Sequence, residues 1–153
     1  MILRRDGYEI SDDPAGIDVE ATWRFLRTSY WSPNVPREVV ERAIDGSLCL
    51  GLRAPDGEQA GFARAVTDGA TFAWIADVFV LEPHRGHGLG IWLVEALLSH
   101  PRLDRVRLTI LGTADAHELY GRFGFLPIDA GRFMTLRRPA EQLYGNPAEK
   151  LTE

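Results

Sequence analysis

The chain has 153 residues and 17.1 kDa, 45% hydrophobic and 25% charged, the content of one globular domain able to bury roughly 68–70% of its unfolded surface. Seventeen Lys and Arg against twenty-two Asp and Glu give a net charge of −5, which leaves no broad cationic face for a nucleic-acid backbone. Apolar runs stop well short of the ~20 residues a membrane span needs and residues 1–6 carry no apolar leader, so no membrane partner and a cytoplasmic location are expected. The single cysteine, Cys49, excludes an internal disulfide or a cysteine zinc cluster, and the only lysine, Lys150, lies in a polar tail, which excludes a catalytic lysine in the core.

Residues 8–11 predict a short strand closed by the turn cluster Ser11, Asp12, Asp13, Pro14. Val19, Trp23, Leu26 and Tyr30 recur at helical spacing and predict a helix over 18–28 with Asp18 near its start. A loop through Tyr30, Trp31, Ser32, Pro33 and Asn34 leads to a second helix that begins at Pro36, carries Val39, Val40 and Ala43 on its apolar face and stops at Gly46. The period then shortens. Residues 48–53, 59–67 and 71–80 predict three strands joined by turns at 54–57 and 67–69, an antiparallel meander. A glycine-rich turn introduces an apolar helix over 89–99, marked by Leu89, Trp92, Leu93, Ala96 and Leu97. A strand over 105–111, a short helix over 116–123 ended by Gly124, and a last strand over 132–136 complete the order. Residues 1–138 read as one domain and 139–153 as a polar C-terminal tail.

The informative unit is strand, glycine turn, helix: Val78, Phe79 and Val80, then Pro83, then Arg85-Gly86-His87-Gly88-Leu89-Gly90, then Ile91 inside the helix. N–H groups at a helix start lack intrahelical partners and the helix dipole is positive there, so glycines at this point let main chain close on a phosphate. The spacing does not fit the dinucleotide pattern GxGxxG, because Ile91 stands where its last glycine belongs. It fits [RQ]xxGxG. His84 and His87 sit in the same turn without carboxylates at metal-ligand spacing, so no metal is expected.

That hexapeptide, the branched strand before it, the helix after it and the downstream Leu119-Tyr120-Gly121-Arg122-Phe123-Gly124-Phe125 resemble the GNAT family of N-acetyltransferases, whose acyl-CoA loop and LYxxxGF segment they match. The resemblance implies an α/β (mixed α+β) fold, a mostly antiparallel twisted sheet with helices on both faces. It implies acetyl-CoA as cosubstrate, no metal, and an N-acetyltransferase acting on a primary amine of a small molecule by direct attack on the thioester. The main chain of Val78, Phe79 and Val80 is then expected to pair with pantetheine, with Val80 N–H facing the thioester oxygen. Arg85, Gly86, His87, Gly88, Leu89, Gly90 and Ile91 are expected to hold the cofactor phosphates, with Thr113 a further contact where the family often has Asn. Tyr120 is the expected general acid, since a group with a pKa near 10 keeps its proton at neutral pH. The base stays open between Asp77 and His117, because Trp74 stands where some members carry Glu. Tyr30 and Trp31 are the expected acceptor wall, with core packing as the other reading of Trp31. Two alternatives are transfer of a longer acyl group and a catalytically silent acyl-CoA-binding module. A homodimer is expected from the resemblance alone.

Overall fold

Two helices packed on one face of a sheet and one on the other require a sheet apolar on both sides, and the strands supply it. The computed structural model describes residues 1–145. Ile2–Arg5 (β1) and Tyr8–Ser11 (β2) form a hairpin across Asp6 and Gly7, both at positive φ (51° and 82°). The helices Val19–Leu26 (α1) and Arg37–Asp45 (α2) follow. The Asp18 carboxylate caps α1 by accepting from Ala21 N–H at 2.9 Å, and Pro36 precedes the first turn of α2. Leu48–Arg53 (β3), Gln59–Thr67 (β4) and Phe72–Val80 (β5) form the meander, Leu89–Leu98 (α3) crosses back, and Leu108–Leu111 (β6) joins parallel to β5. The six strands lie in sequence order in one sheet, and every other neighbouring pair is antiparallel. His117–Gly121 (α4) and Ala140–Tyr144 (α5) are short helices after the sheet. Among the described residues no helix is long and apolar enough to cross a membrane.

The core is split by the sheet. Leu89, Leu93, Ala96 and Leu97 of α3 pack on Leu50, Leu52, Ala63, Ala65, Ala73 and Ile75, and small side chains on β4 let the helix approach closely. A Cβ on Gly61 would stand 2.7 Å from Phe79 O and 3.1 Å from Leu52 Cδ2, so only glycine fits there. On the other face Leu26, Val40 and Ile44 cover Cys49, Phe62 and Phe79, and Phe25 stacks on Phe79 at 3.9 Å between centroids. Burial pushes the Cys49 thiol up to about 12, so it stays protonated and inert.

Two expectations fail. β1 pairs where no strand was expected, because the strand signal of Ile2 to Arg5 is only half apolar and Ile2 is exposed at the sheet edge. Residues 132–136 form no strand: the segment 126–138 runs outside the sheet, with Met134 98% and Leu136 90% exposed. Local strand propensity in that segment finds no neighbour within its own chain. The tail assigned to 139–153 begins with α5, whose Tyr144 lines a cavity against α1 and α2, and residues 146–153 lie outside the described part.

Candidate active site

An irregularity in β5 creates the site. Phe62 faces Phe79 but Arg64 faces Ala76, so β5 carries one residue more than β4 over this stretch, and Asp77 sits there at φ +53°. β6 pairs only with Phe72 to Ile75, which leaves the Ala76 to Val80 half of β5 without a strand on that side. Leu81 N–H donates to Ala60 O at 2.8 Å, which makes Gly61 and Val80 a pair that does not exchange hydrogen bonds. Val80 therefore turns its own N–H and carbonyl away from β4, toward the open edge. Arg85 Nε donates to that carbonyl at 2.9 Å, as this orientation requires. The side chains alternate about this edge: Val78 and Val80 pack against the α3 cluster and Phe79 against α1, and the main-chain groups alternate too, so the N–H and carbonyl of Phe79 turn toward Phe62 on β4 and those of Val80 toward the opening.

The glycine turn continues the edge into α3. Gly86 and Gly88 hold φ +84° and +70°, and a Cβ on Gly86 would meet nothing within 4 Å. No side chain caps α3, so the free N–H groups of Leu89, Gly90 and Ile91 and the positive end of the dipole are left for a ligand. Arg5 reaches the same turn from β1: its guanidinium lies 4.6 Å from the Trp92 ring and donates to Gly88 O at 3.2 Å. His84 Nδ1 is 3.0 Å from Tyr8 Oη and His87 Nδ1 is 3.2 Å from His84 O, so both histidines have local partners. Among the described residues no group of three or more His, Cys, Asp or Glu could hold a metal ion.

At the other end of the edge Asp77, Trp31 and Tyr30 gather, with Tyr120 beside Tyr30 and His117 apart from them. Asp77 accepts from Trp31 Nε1 at 2.9 Å and from Arg64 Nε at 2.8 Å, and Arg64 also donates to Ser47 Oγ at 3.0 Å. Trp31 is 41% exposed and packs edge-on against Tyr30 at 5.0 Å, so it stands at the mouth of the site and not in the core. Tyr30 Oη accepts from Ala114 N–H at 3.1 Å, tying the loop after α1 to the loop before α4. Thr113 Oγ1 accepts from Ala116 N–H at 3.0 Å, so its hydroxyl serves the start of α4 as well as any ligand. Tyr120 lies edge-on to Phe125, and burial raises its phenol pKa, with Tyr30 and Asp115 pushing the same way. His117 is exposed at the start of α4 and, among the described residues, has no hydrogen-bond partner.

Sequence reasoning missed Arg64, Arg5 and Tyr144. Arg64 carried a usable signal, the lone charge within the otherwise apolar run of β4. Tyr144 closes a cavity of about 170 Å³ whose wall includes Leu26, Ser32, Phe62, Arg64 and Asp77. The Arg64–Asp77 pair is half-buried, with side chains 15% and 9% exposed. Asp77→Ala should leave the half-buried guanidinium with Ser47 Oγ as its remaining acceptor, costing about 1–3 kcal/mol and lowering the melting temperature by ~5 °C. A thermal scan that moves by less than ~2 °C would show the pair to be dispensable.

Comparison with known proteins gives a consistent set of likenesses. The profile described as the Acetyltransferase (GNAT) family matches residues 17–125. The uncharacterized N-acetyltransferase YhbS of Escherichia coli strain K12 is 34% identical over 133 residues, 82% of this chain and 73% of that protein. The crystal structure of a GNAT-family protein from Xanthomonas campestris pv. campestris superposes with a TM-score of 0.83 at 40% identity, over 91% of this chain and 97% of that one. A GNAT-family acetyltransferase from Elizabethkingia anophelis, solved with acetyl-CoA bound, shares the fold with a TM-score of 0.63 at 17% identity over 82% and 80% of the two chains.

Proposed function

Because the chain belongs to the GNAT family of acetyltransferases, we propose that it moves an acetyl group from acetyl-CoA to a primary amine of a small molecule. What carries this reading is the open edge of β5 at Val78 to Val80, continuous with the uncapped start of α3. Pantetheine would add to that edge as a strand adds to a sheet, with the diphosphate on the N–H groups of the glycine turn. The fold neighbour from E. anophelis holds acetyl-CoA, which supports the choice of cosubstrate.

The chemistry then runs by direct attack. The amine nitrogen forms a bond to the thioester carbonyl carbon, and Val80 N–H stabilises the negative charge that develops on oxygen. The carbon–sulfur bond breaks, and Tyr120 gives its proton to the departing thiolate. The nitrogen loses one proton to solvent water at the open mouth of the site, and Asp77, already engaged by Trp31 and Arg64, is suited to holding the acceptor there. Rapid thiol-release measurements with acetyl-CoA over a panel of amines test the reading. Turnover on at least one amine is expected, and tight acetyl-CoA binding with no turnover on any would identify a silent binding module instead.

The acceptor wall gives a separable prediction. Trp31→Ala should raise the acceptor KM about tenfold, the scale of one lost aromatic contact to a cation, and leave acetyl-CoA affinity unchanged. The ring is 41% exposed and loses its donation to Asp77 and its contact with Tyr30, so the melting temperature should fall by no more than about 4 °C. A variant with equal losses of both affinities would place the acceptor elsewhere. A second copy of the chain belongs to this reading as partner.

A further inference from the structure

The Arg64–Asp77 pair stands between two spaces. At the mouth of the candidate site Asp77 Oδ1 accepts from Trp31 Nε1 at 2.9 Å, and on its other side Oδ2 accepts from Arg64 Nε at 2.8 Å. Both side chains wall the cavity of about 170 Å³ that lies beneath α1 and α2. The floor of that cavity is apolar: Leu26, Val40, Ile44 and Phe62 reach it, each 9% exposed or less. Its polar groups are already engaged. Arg64 donates to Asp77 and, through Nη1, to Ser47 Oγ at 3.0 Å, and Ser32 N–H donates to Ser29 Oγ at 3.2 Å. An acidic ligand would have to compete with Asp77 for the guanidinium, whereas an apolar one covers the floor and leaves these bonds in place.

Size sets the ligand. Protein interiors leave few voids larger than a water molecule, so a space of this volume beside a candidate site calls for an occupant. An apolar cavity of roughly 150 Å³ lined by Leu, Ile and Phe stays dry and accepts benzene. The cavity here therefore holds one such ring, or a branched alkyl group of similar bulk, and not a fused ring pair. One wall is built to yield. Tyr144 closes the cavity from α5, a helix of five residues, and an open groove of about 480 Å³ separates the same helix from Pro36, Glu38 and Arg42. A short helix with space on both sides loses few buried contacts when it shifts, which gives a ligand its way in.

We propose that this cavity receives the apolar end of the acceptor, so that the amines this protein prefers carry a compact apolar group about the size of a benzene ring, joined to the nitrogen by a short chain. The inference rests on the acetyl-transfer reading and gives its acceptor a chemical class. With the ring in the cavity, the connecting chain passes Asp77 and the nitrogen lies toward Trp31 and the open edge of β5. The ammonium form meets the Asp77 carboxylate and the Trp31 ring at the mouth before it loses its proton. Tyr144, supplied by the segment after the sheet, is then a specificity-determining residue, because its ring limits how large the apolar group can be.

Ethylamine, phenethylamine and naphthylethylamine, offered to the full chain with acetyl-CoA and, separately, without it, test the proposal. Phenethylamine is expected to show a kcat/KM about 100-fold above that of ethylamine, since a single methylene in an apolar pocket is already worth about 10–200-fold. Naphthylethylamine is expected to do no better than ethylamine. Without acetyl-CoA, phenethylamine is expected to shift the methyl resonances of Val40 and Ile44 saturably, and ethylamine is not. Ala43→Leu adds bulk at the half-buried rim of the cavity and is expected to abolish those shifts and bring ethylamine and phenethylamine level. Tyr144→Ala removes the outer wall and is expected to raise kcat/KM for naphthylethylamine about tenfold or more. Circular dichroism checks both folds, and Tyr144→Ala, altered on a short helix outside the sheet, decides alone if Ala43→Leu does not fold. Equal kcat/KM for ethylamine and phenethylamine in the wild type keeps the acetyl-transfer reading and overturns the cavity. So does a preference for phenethylamine that neither substitution changes. Saturable shifts at Val40 and Ile44 with no amine acetylated uphold the cavity as an amine site and remove the acetyl-transfer reading.

Discussion

Replacing Gly90 by glutamate should abolish measurable acetyl-CoA binding and leave the fold intact. Gly90 is the second residue of α3, outside the positive-φ region, and a Cβ there would meet only Val80 Cγ2 at 3.9 Å. A carboxylate in the first turn of a helix is itself favourable by about 0.3–1 kcal/mol through the dipole, so stability should hold or rise. The same charge occupies the place where the diphosphate would meet free N–H groups, and it repels a second anion at close range. An affinity loss of about 100-fold or more corresponds to ~2.7 kcal/mol or more, within reach of an excluded, like-charged ligand. Gly88→Glu is the poorer test. Gly88 sits at φ +70°, where any side chain is strained, and the Arg5 guanidinium 3.9 Å from its Cβ position would pair with the new carboxylate. Isothermal calorimetry with acetyl-CoA, beside a thermal scan, decides the matter: unchanged affinity in a folded Gly90→Glu protein removes the glycine turn as the cofactor site.

Tyr120→Phe should lower kcat about 100-fold with little change in the KM for acetyl-CoA. General acid catalysis contributes about 10²–10⁴, and a thiolate, whose conjugate acid has a pKa near 8.5, is a good enough leaving group to place the effect at the lower end. The ring keeps its edge-on contact with Phe125 in the variant, so a packing role alone predicts no loss of turnover. The pH profile separates the two further. Burial, then Tyr30 and Asp115, holds the phenol above its ordinary value of 10, so the acid is protonated throughout the neutral and mildly alkaline range. Wild-type kcat should show no loss from this group until the pH passes 10, and the Phe variant should lack that limb altogether. Equal turnover for the two proteins would leave Tyr120 as a packed aromatic.

The elements legible in the sequence were those whose signals are local. Asp18 before an amphipathic run, Pro36 at a helix start and period-two alternation from 48 to 80 announce α1, α2 and the meander from residues within a few positions of one another. The glycine turn is legible for the same reason, because positive φ at Gly86 and Gly88 and an uncapped α3 are properties of six consecutive residues. Asp77 was visible as a carboxylate beside Val78, and its place on the face opposite Val78 and Val80 follows from alternation.

The tertiary structure alone decided its partners. The extra residue in β5 turns Asp77 toward Arg64 on the neighbouring strand and Trp31 on the loop after α1. Arg5 meets Gly88 across 83 positions and Tyr30 meets Ala114 across 84, contacts that depend on which strands neighbour one another and in what register. The failure at 132–136 has the same origin. Propensity states that a segment can be a strand, but a strand exists only where an unpaired edge lies within reach, and reach is set by the path of the whole chain.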